Sequence, residues 1–234
     1  MSPASHAANA RPSFKETAQR VTRAALDPLA RVLAGAGLRP DHLTVLGLLF
    51  SIASGLGFAL GHFRTAATFG LVAGICDILD GQLARSLHRV SKFGAFLDST
   101  LDRLAEAAML AGIAAFYTFN LVAQVSDPER VAMNLTHGLE PYHWGLIALL
   151  ALLALVGSFM VSYTRARAEG LGVDCKVGWF ERPERMILLI LAGFVGLGPV
   201  MPAALLLLVV FSFATAFQRM AHVWKQTRAA GRDA

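Results

Sequence analysis

Charge is scarce in this chain. Of its 234 residues only 16% are Asp, Glu, Lys or Arg, against roughly 25% in an ordinary soluble domain. The apolar share is correspondingly high at 55%, with a mean hydropathy of +0.53. That deficit excludes a conventional soluble domain and points to a membrane protein before any motif is considered. Cysteine is rarer still. Cys76 and Cys175 stand far apart, in no CxxC or Cys/His spacing, so both are expected to be free thiols. The N-terminal MSPASHAANARPSF has no apolar run, and no cleaved signal peptide is expected from it. Internal repeats are absent. Aromatic residues do not interleave with the basic ones, so a net charge of +5 and a pI near 9.7 do not indicate nucleic acid. The basic residues flank apolar stretches, where lipid headgroups are the natural anionic partner.

What is there is a series of long apolar segments. Residues 1–13 are expected to be disordered. From Phe14 an amphipathic pattern starts, with Phe14, Ala18, Val21 and Ala25 on one side. Asp27-Pro28 resembles an N-cap followed by proline at the first helical position, with a short helix from there to Gly35 or Gly37. A basic amphipathic helix just before a span lies in the headgroup plane. Spans are predicted from about Asp41, as N-cap, to Leu60, from Thr65 to Arg85, from Phe93 to Phe119 and from Trp144 to Thr164. Each has about the 20 residues needed to cross roughly 30 Å of hydrocarbon. Apolar character then runs from Met186 to Phe217, broken by GLGPVMP, as two short spans or one bent helix. Charge bias selects two. With six spans and both termini cytoplasmic, eighteen of the 21 Lys and Arg fall inside, Arg64 and Arg130 fall outside, and Arg103 lies within the third span. The expected fold is therefore an all-α membrane protein: six transmembrane helices preceded by an amphipathic juxtamembrane helix. Residues 14–224 form one domain and 225–234 a basic tail. The spacings Gly57/Gly61 and Gly70/Gly74 would let helices approach closely, or simply reflect a glycine-rich chain.

Four aspartates interrupt this pattern. Asp77 and Asp80 fall late in the second span, and Asp98 and Asp102 early in the third. Each pair is three or four residues apart, hence on one helical face. The link SLHRVSK is short enough to make the two helices antiparallel neighbours, so all four carboxylates can face one another in the cytoplasmic half. Clustered negative charge in low dielectric must be neutralised. Two divalent cations balance it formally, and all-oxygen ligation suits Mg²⁺ or Mn²⁺. Carboxylates from two helices can bridge two ions about 3.5–4 Å apart, an arrangement used for phosphoryl chemistry. Gly81 and Ala84 continue the same face and leave room for a bulky substrate, and Arg85 at the helix end could hold a phosphate. The competing explanation is a set of buried salt bridges to Arg85, Arg89 and Arg103, whose spacing matches the faces poorly. The histidines His42, His62, His88, His137 and His143 scatter over both ends and suggest no second metal site.

The run D-x2-D-G-x2-A-R-x8-G-x3-D-x3-D is matched without a gap by Asp77, Asp80, Gly81, Ala84, Arg85, Gly94, Asp98 and Asp102. It resembles the CDP-alcohol phosphotransferase family of membrane enzymes. The resemblance implies that a CDP-linked lipid lies with its pyrophosphate on the metals, an acceptor hydroxyl attacks the lipid-side phosphorus, and CMP leaves. It implies Asp77, Asp80 and Asp98 as metal ligands, with Asp102 as general base and a further metal contact. Gly81, Ala84 and Arg85 would contact the CDP group. Pro40, Asp41 and Thr44 resemble a Pro-Asp/Asn-x-x-Thr element near the nucleotide, although Asp41 serves equally as an N-cap. A homodimer is also implied.

The aspartate run leaves the acceptor open. VSYTRARAEGLG (161–172), FERPER (180–185) and AFLDSTLDR (95–103) resemble phosphatidylinositol phosphate synthases and their archaeal ether-lipid counterparts. A phosphorylated acceptor needs cations, and arginine binds phosphate bidentately. Ser162, Arg165, Arg182, Arg185 and Arg219 fall at the cytoplasmic ends of the last three spans and are the candidate acceptor-phosphate residues. Glu169, Asp174, Glu181 and Glu184 stand among them, so some of these arginines would serve as partners or interfacial anchors. Arg167, about 200° from Arg165 around the helix, cannot share its pocket. The function expected is transfer from a CDP-linked lipid to inositol phosphate. The alternatives are glycerol 3-phosphate as acceptor or, from another class, a cation-coupled transporter, which would show the half-repeats missing here. A prenyl-pyrophosphate enzyme is disfavoured because no DDxxD occurs.

Overall fold

The computed structural model describes residues 14–87, 91–129, 131–132 and 141–230. Helix α1 spans Phe14–Gly35, α2 Pro40–Ala59, α3 Phe63–Ser86 and α4 Lys92–Val125. Helix α5 spans Pro141–Gly170, α6 Arg182–Val195 and α7 Val200–Ala230. No strand occurs among the described residues. Expectations for residues 1–13, for His88 and Arg89, and for His137 fall outside them.

Five helices, α2 to α5 and α7, are long and apolar enough to cross a membrane. Helix α6, with 14 residues, rises about 21 Å at 1.5 Å per residue, short of the roughly 30 Å hydrocarbon core. The apolar stretch 186–217 is thus two helices and not one bent helix. Gly196 (φ +97°) and Gly198 (φ +158°) form the turn between them, a conformation that side-chain-bearing residues rarely adopt. The basic tail is helical as far as Ala230.

Two helix starts differ from expectation. Helix α1 runs unbroken through Pro28, and Asp27 does not cap a new helix there. Its carboxylate accepts a 2.7 Å hydrogen bond from Arg31, one turn on, which suits a helix interior. In α2 the N-cap is Arg39, and Asp41 lies in the first turn. Pro40 has no N–H to lose at N1, and a carboxylate just inside favours the positive helix end. Phe14, Ala18 and Val21 lie outside the described side chains, but Ala25, Leu29 and Val32, which continue their stripe, are exposed. The opposite stripe, Leu26, Ala30, Leu33 and Ala34, packs on Leu79 and Leu83 of α3. Helix α1 is thereby seated beside the aspartate-bearing end of α3, with one apolar face turned outward.

Helix α2 packs against both α3 and α4; α5 packs on α4 and α7, and α6 on α3 and α7. Helices α3 and α4 meet through side chains, Met109 lying against Gly70 and the carboxylates of Asp77, Asp98 and Asp102 converging, while α2 packs on both. The main core, including Phe58, Met109, Ile113, Leu189, Met201 and Leu205, fills the bundle. The tightest crossing joins α2 to α4. A Cβ on Gly55 would lie 2.3 Å from the Ala108 carbonyl oxygen, and one on Gly112 2.0 Å from that of Gly55. Gly57, Gly61 and Gly70 also face close neighbours, but a side chain at Gly74 would meet nothing within 4 Å. The decisive small-residue contact is therefore between helices, at a pair of glycines 57 residues apart, and not within a single G-x3-G spacing.

Candidate active site

Asp77 and Asp80 stand near the end of α3, and Asp98 and Asp102 in the first three turns of α4, so all four lie at one end of the bundle. Ser91 caps α4 by accepting a 2.9 Å hydrogen bond from the Gly94 N–H, which starts the helix seven residues before Asp98. Asp77, Asp98 and Asp102 each offer an oxygen within 4.8 Å of the others. Asp80 is not part of that close set. It is only 6% exposed, and its Oδ2 is buried without a hydrogen-bond partner, as is Oδ1 of Asp98. The Thr44 hydroxyl, on α2, stands between the Pro40 carbonyl, 3.2 Å away, and the Asp80 carboxylate.

The counter-charge on this cluster comes from a residue distant in sequence. Nη1 of Arg182 donates to Asp77 Oδ2 at 3.0 Å and lies 2.7 Å from Asp102 Oδ1. Of the arginines in the competing salt-bridge explanation, Arg85 is exposed and Arg103 donates to the Ser99 carbonyl of its own helix, while Arg89 lies outside the described residues. One guanidinium cannot neutralise four carboxylates. The converging oxygens of Asp77, Asp98 and Asp102, with the orphaned Oδ2 of Asp80 nearby, form an all-oxygen donor set of the kind that hard divalent cations take. The residues present therefore fit a divalent metal.

A cavity of about 190 Å³ opens from Asp102. Ser162 and Arg165 of α5, Arg182 and Arg185 of α6, and Arg219 of α7 all line it, so every residue expected to read an acceptor phosphate is brought to one place. Five arginines, Arg103 included, face three carboxylates, Asp102, Glu106 and Glu181, and the lining has a surplus of positive charge. The arginines differ in how free they are. Arg165 bonds Glu169 at 2.9 Å and is two-fifths exposed. Arg219 is buried, donating to the carbonyls of Val177 (2.8 Å) and Val161, so part of its fork holds the 171–181 loop. Gly178 in that loop has φ +130°, and a Cβ there would lie 2.7 Å from Thr215. Arg185 is fully buried against Glu106.

The acids of FERPER have a local role at the start of α6. Glu181 and Glu184 form a capping box around Pro183 at the start of α6, while Arg182 and Arg185 turn inward. Glu181 also stands 3.7 Å from both Arg165 and Arg219.

A smaller space of about 20 Å³ lies on the other side of the aspartates, among α2, α3 and α4. Thr44, Asp77, Asp80, Asp102 and Arg182 line it. Pro40 and Asp41 do not, standing one turn earlier at the start of α2. Gly81 and Ala84 are half-buried on the continuing α3 face. At Gly81 an added Cβ would meet only the Arg85 guanidinium, at 3.6 Å, so a ligand can approach the backbone there. One residue of the site, Glu106, was not singled out from sequence, and Arg103 was considered only as a salt-bridge partner of the aspartates. Glu106 was legible in principle, because Asp98, Asp102 and Glu106 repeat every four residues along one face of α4.

Residues 38–218 match the family model for CDP-alcohol phosphatidyltransferases. The chain is 37% identical over 212 residues to an archaetidylinositol phosphate synthase of Methanothermobacter thermautotrophicus, covering 89% of this chain and 93% of that one. It is 34% identical to a phosphatidylinositol phosphate synthase of Mycobacterium marinum, covering 85% and 79%. Among solved structures it resembles the phosphatidylinositol phosphate synthase of Mycobacterium tuberculosis. The form with CDP-DAG bound gives a TM-score of 0.67 at 31% identity, covering 88% of this chain and 94% of that one. The complex with manganese and citrate gives 0.69 at 32%, covering 84% and 88%.

Proposed function

The chain belongs to the CDP-alcohol phosphatidyltransferase family, and from that premise we propose that it transfers the phosphatidyl, or ether-lipid, phosphate of a CDP-linked lipid to inositol phosphate, releasing CMP. It is a multi-pass membrane enzyme. One observation carries the choice of acceptor: Asp102 and Arg182 line both the space beside the aspartates and the arginine-rich cavity, so the two spaces meet at those residues. The CDP group lies along Thr44, Gly81, Ala84 and Arg85, with Pro40 and Asp41 at its edge. The acceptor phosphate lies among Ser162, Arg165, Arg182, Arg185 and Arg219. The names of the relatives, and the CDP-DAG held by the M. tuberculosis enzyme, support the same assignment.

Asp102 stands where the two substrates meet. Its carboxylate takes the proton of the acceptor hydroxyl as that oxygen forms a bond to the lipid-side phosphorus, and the bond from this phosphorus to the CMP oxygen breaks. The arginines hold the acceptor phosphate so that its hydroxyl, not its charge, faces the reacting phosphorus. Two Mg²⁺ or Mn²⁺ ions, bound by Asp77, Asp80, Asp98 and Asp102, would supply neutralisation of the pyrophosphate charge; the manganese complex of the M. tuberculosis enzyme supports such a site.

The deciding experiment is incubation of purified protein with CDP-diacylglycerol and a panel of alcohols. Inositol phosphate should yield CMP and a phosphorylated inositol lipid. Free inositol should be a poor substrate, because it leaves the arginines unpaired; equal use of the two, or a preference for glycerol 3-phosphate, would overturn the acceptor assignment. Arg165→Ala should raise the acceptor KM about 10-fold or more, as losing a charge-assisted hydrogen bond does, and leave the CDP-lipid KM nearly unchanged.

The enzyme works as a homodimer with both termini and the active site on the cytoplasmic face, α6 serving as a short sixth crossing. In a background without Cys76 and Cys175, a cysteine placed by Glu129→Cys should react with an impermeant thiol reagent in intact cells. One placed by Lys92→Cys should react only after lysis. The reverse pattern would invert the topology.

A further inference from the structure

Glu106 lies on α4 one turn beyond Asp102 and is 3% exposed. Its two oxygens accept hydrogen bonds from Nε and Nη2 of Arg185, at 2.6 and 2.8 Å. That bidentate grip fixes the plane of the guanidinium, because a rigid planar fork held at two nitrogens has its third nitrogen aimed. The third nitrogen, Nη1, reaches only the Phe180 carbonyl at 3.4 Å, beyond the usual range for N–H···O. Its N–H groups are the least engaged donors of Arg185, and both residues line the arginine-rich cavity.

A purely structural account of this pair is weak. Burying an Arg–Glu pair gives little stability relative to apolar residues of the same size, since desolvation offsets the attraction. Orientation is what such a pair provides. Asp102 and Glu106 also share one helix, four residues apart, or about 6 Å along its axis. The residue that receives the hydroxyl proton and the one that aims Arg185 are therefore held in fixed register.

We propose that Glu106 is a positioning residue for the acceptor phosphate, acting through Arg185 by directing its least engaged N–H groups into the cavity. This rests on the assignment of that cavity to the acceptor phosphate.

Glu106→Gln tests it with little change of volume. The amide keeps one acceptor oxygen but sets an N–H group against the guanidinium, so the fork turns. The acceptor KM should rise about 10-fold, the scale of losing one charge-assisted hydrogen bond, with kcat and the CDP-lipid KM little changed; the unfolding temperature in detergent should fall, because the buried guanidinium loses its counter-charge. Glu106→Asp, which keeps both oxygens, should recover part of the loss. In an Arg185→Ala background, Glu106→Gln should add nothing to the acceptor KM. If Arg185→Ala raises the acceptor KM but Glu106→Gln does not, or if the two effects multiply, Glu106 does not act through Arg185 and the inference fails. Both KM values raised alike would make the pair merely structural and overturn it equally. If Arg185→Ala itself leaves the acceptor KM unchanged, the acceptor-phosphate assignment falls first and takes this inference with it.

Discussion

EDTA should abolish CMP release from the purified protein, and Mg²⁺ or Mn²⁺ should restore it. Four carboxylates gather at one end of the bundle, and two of their oxygens, on Asp80 and Asp98, are buried with no hydrogen-bond partner. Arg182 supplies a single positive charge to Asp77 and Asp102. A pyrophosphate brought to this surface adds still more negative charge, and it cannot approach without cations in between. Asp80→Asn should accordingly lower activity by about 10²–10³-fold or more, the scale of removing one preorganised electrostatic group. Isothermal titration of the same variant with Mn²⁺ should show weakened binding. Full turnover in EDTA would sink the metal assignment, and wild-type Mn²⁺ affinity in Asp80→Asn would remove Asp80 from it.

Asp102→Asn should have the second large effect, of a different kind. Asp102 borders both the aspartate space and the arginine-rich cavity and is one-fifth exposed, open enough to meet a substrate hydroxyl. Loss of a general base lowers kcat by about 10²–10⁴-fold and leaves ground-state binding largely intact, so the KM values of both substrates should stay near wild type. The contrast with Arg165→Ala is diagnostic, because that change acts on one KM and spares kcat. If Asp102→Asn raised the acceptor KM with kcat preserved, Asp102 would be a binding residue and the proton would leave by another route.

Much of this protein follows from its sequence alone. Apolar segments of about 20 residues define spanning helices, because a chain in hydrocarbon must satisfy its backbone internally. The observed helices α2 to α5 extend the predicted spans by a few residues at most ends. The aspartate run was legible because its spacings of three and four residues put carboxylates on one helical face, a purely local property. Local signals also misled in places. Asp27-Pro28 has the chemistry of a helix start, yet α1 passes through it, since Asp27 finds Arg31 one turn on.

Only the tertiary structure decided how the helices meet. The packing of α2 against both α3 and α4 could not be read from the short link between those two, because a link limits distance without setting packing. The Gly55–Gly112 crossing joins residues in different helices, and no periodicity within either one announces it. The same holds for the charges. Arg182 reaches Asp77 across 105 residues and Arg185 reaches Glu106 across 79, pairings that depend on where α6 lands. Sequence determines which faces carry charge, through helical periods that depend on neighbours a few residues away. Which charge meets which is set by the packing of apolar surfaces far apart in the chain, and it was the fold that brought the arginines of three helices to Asp102.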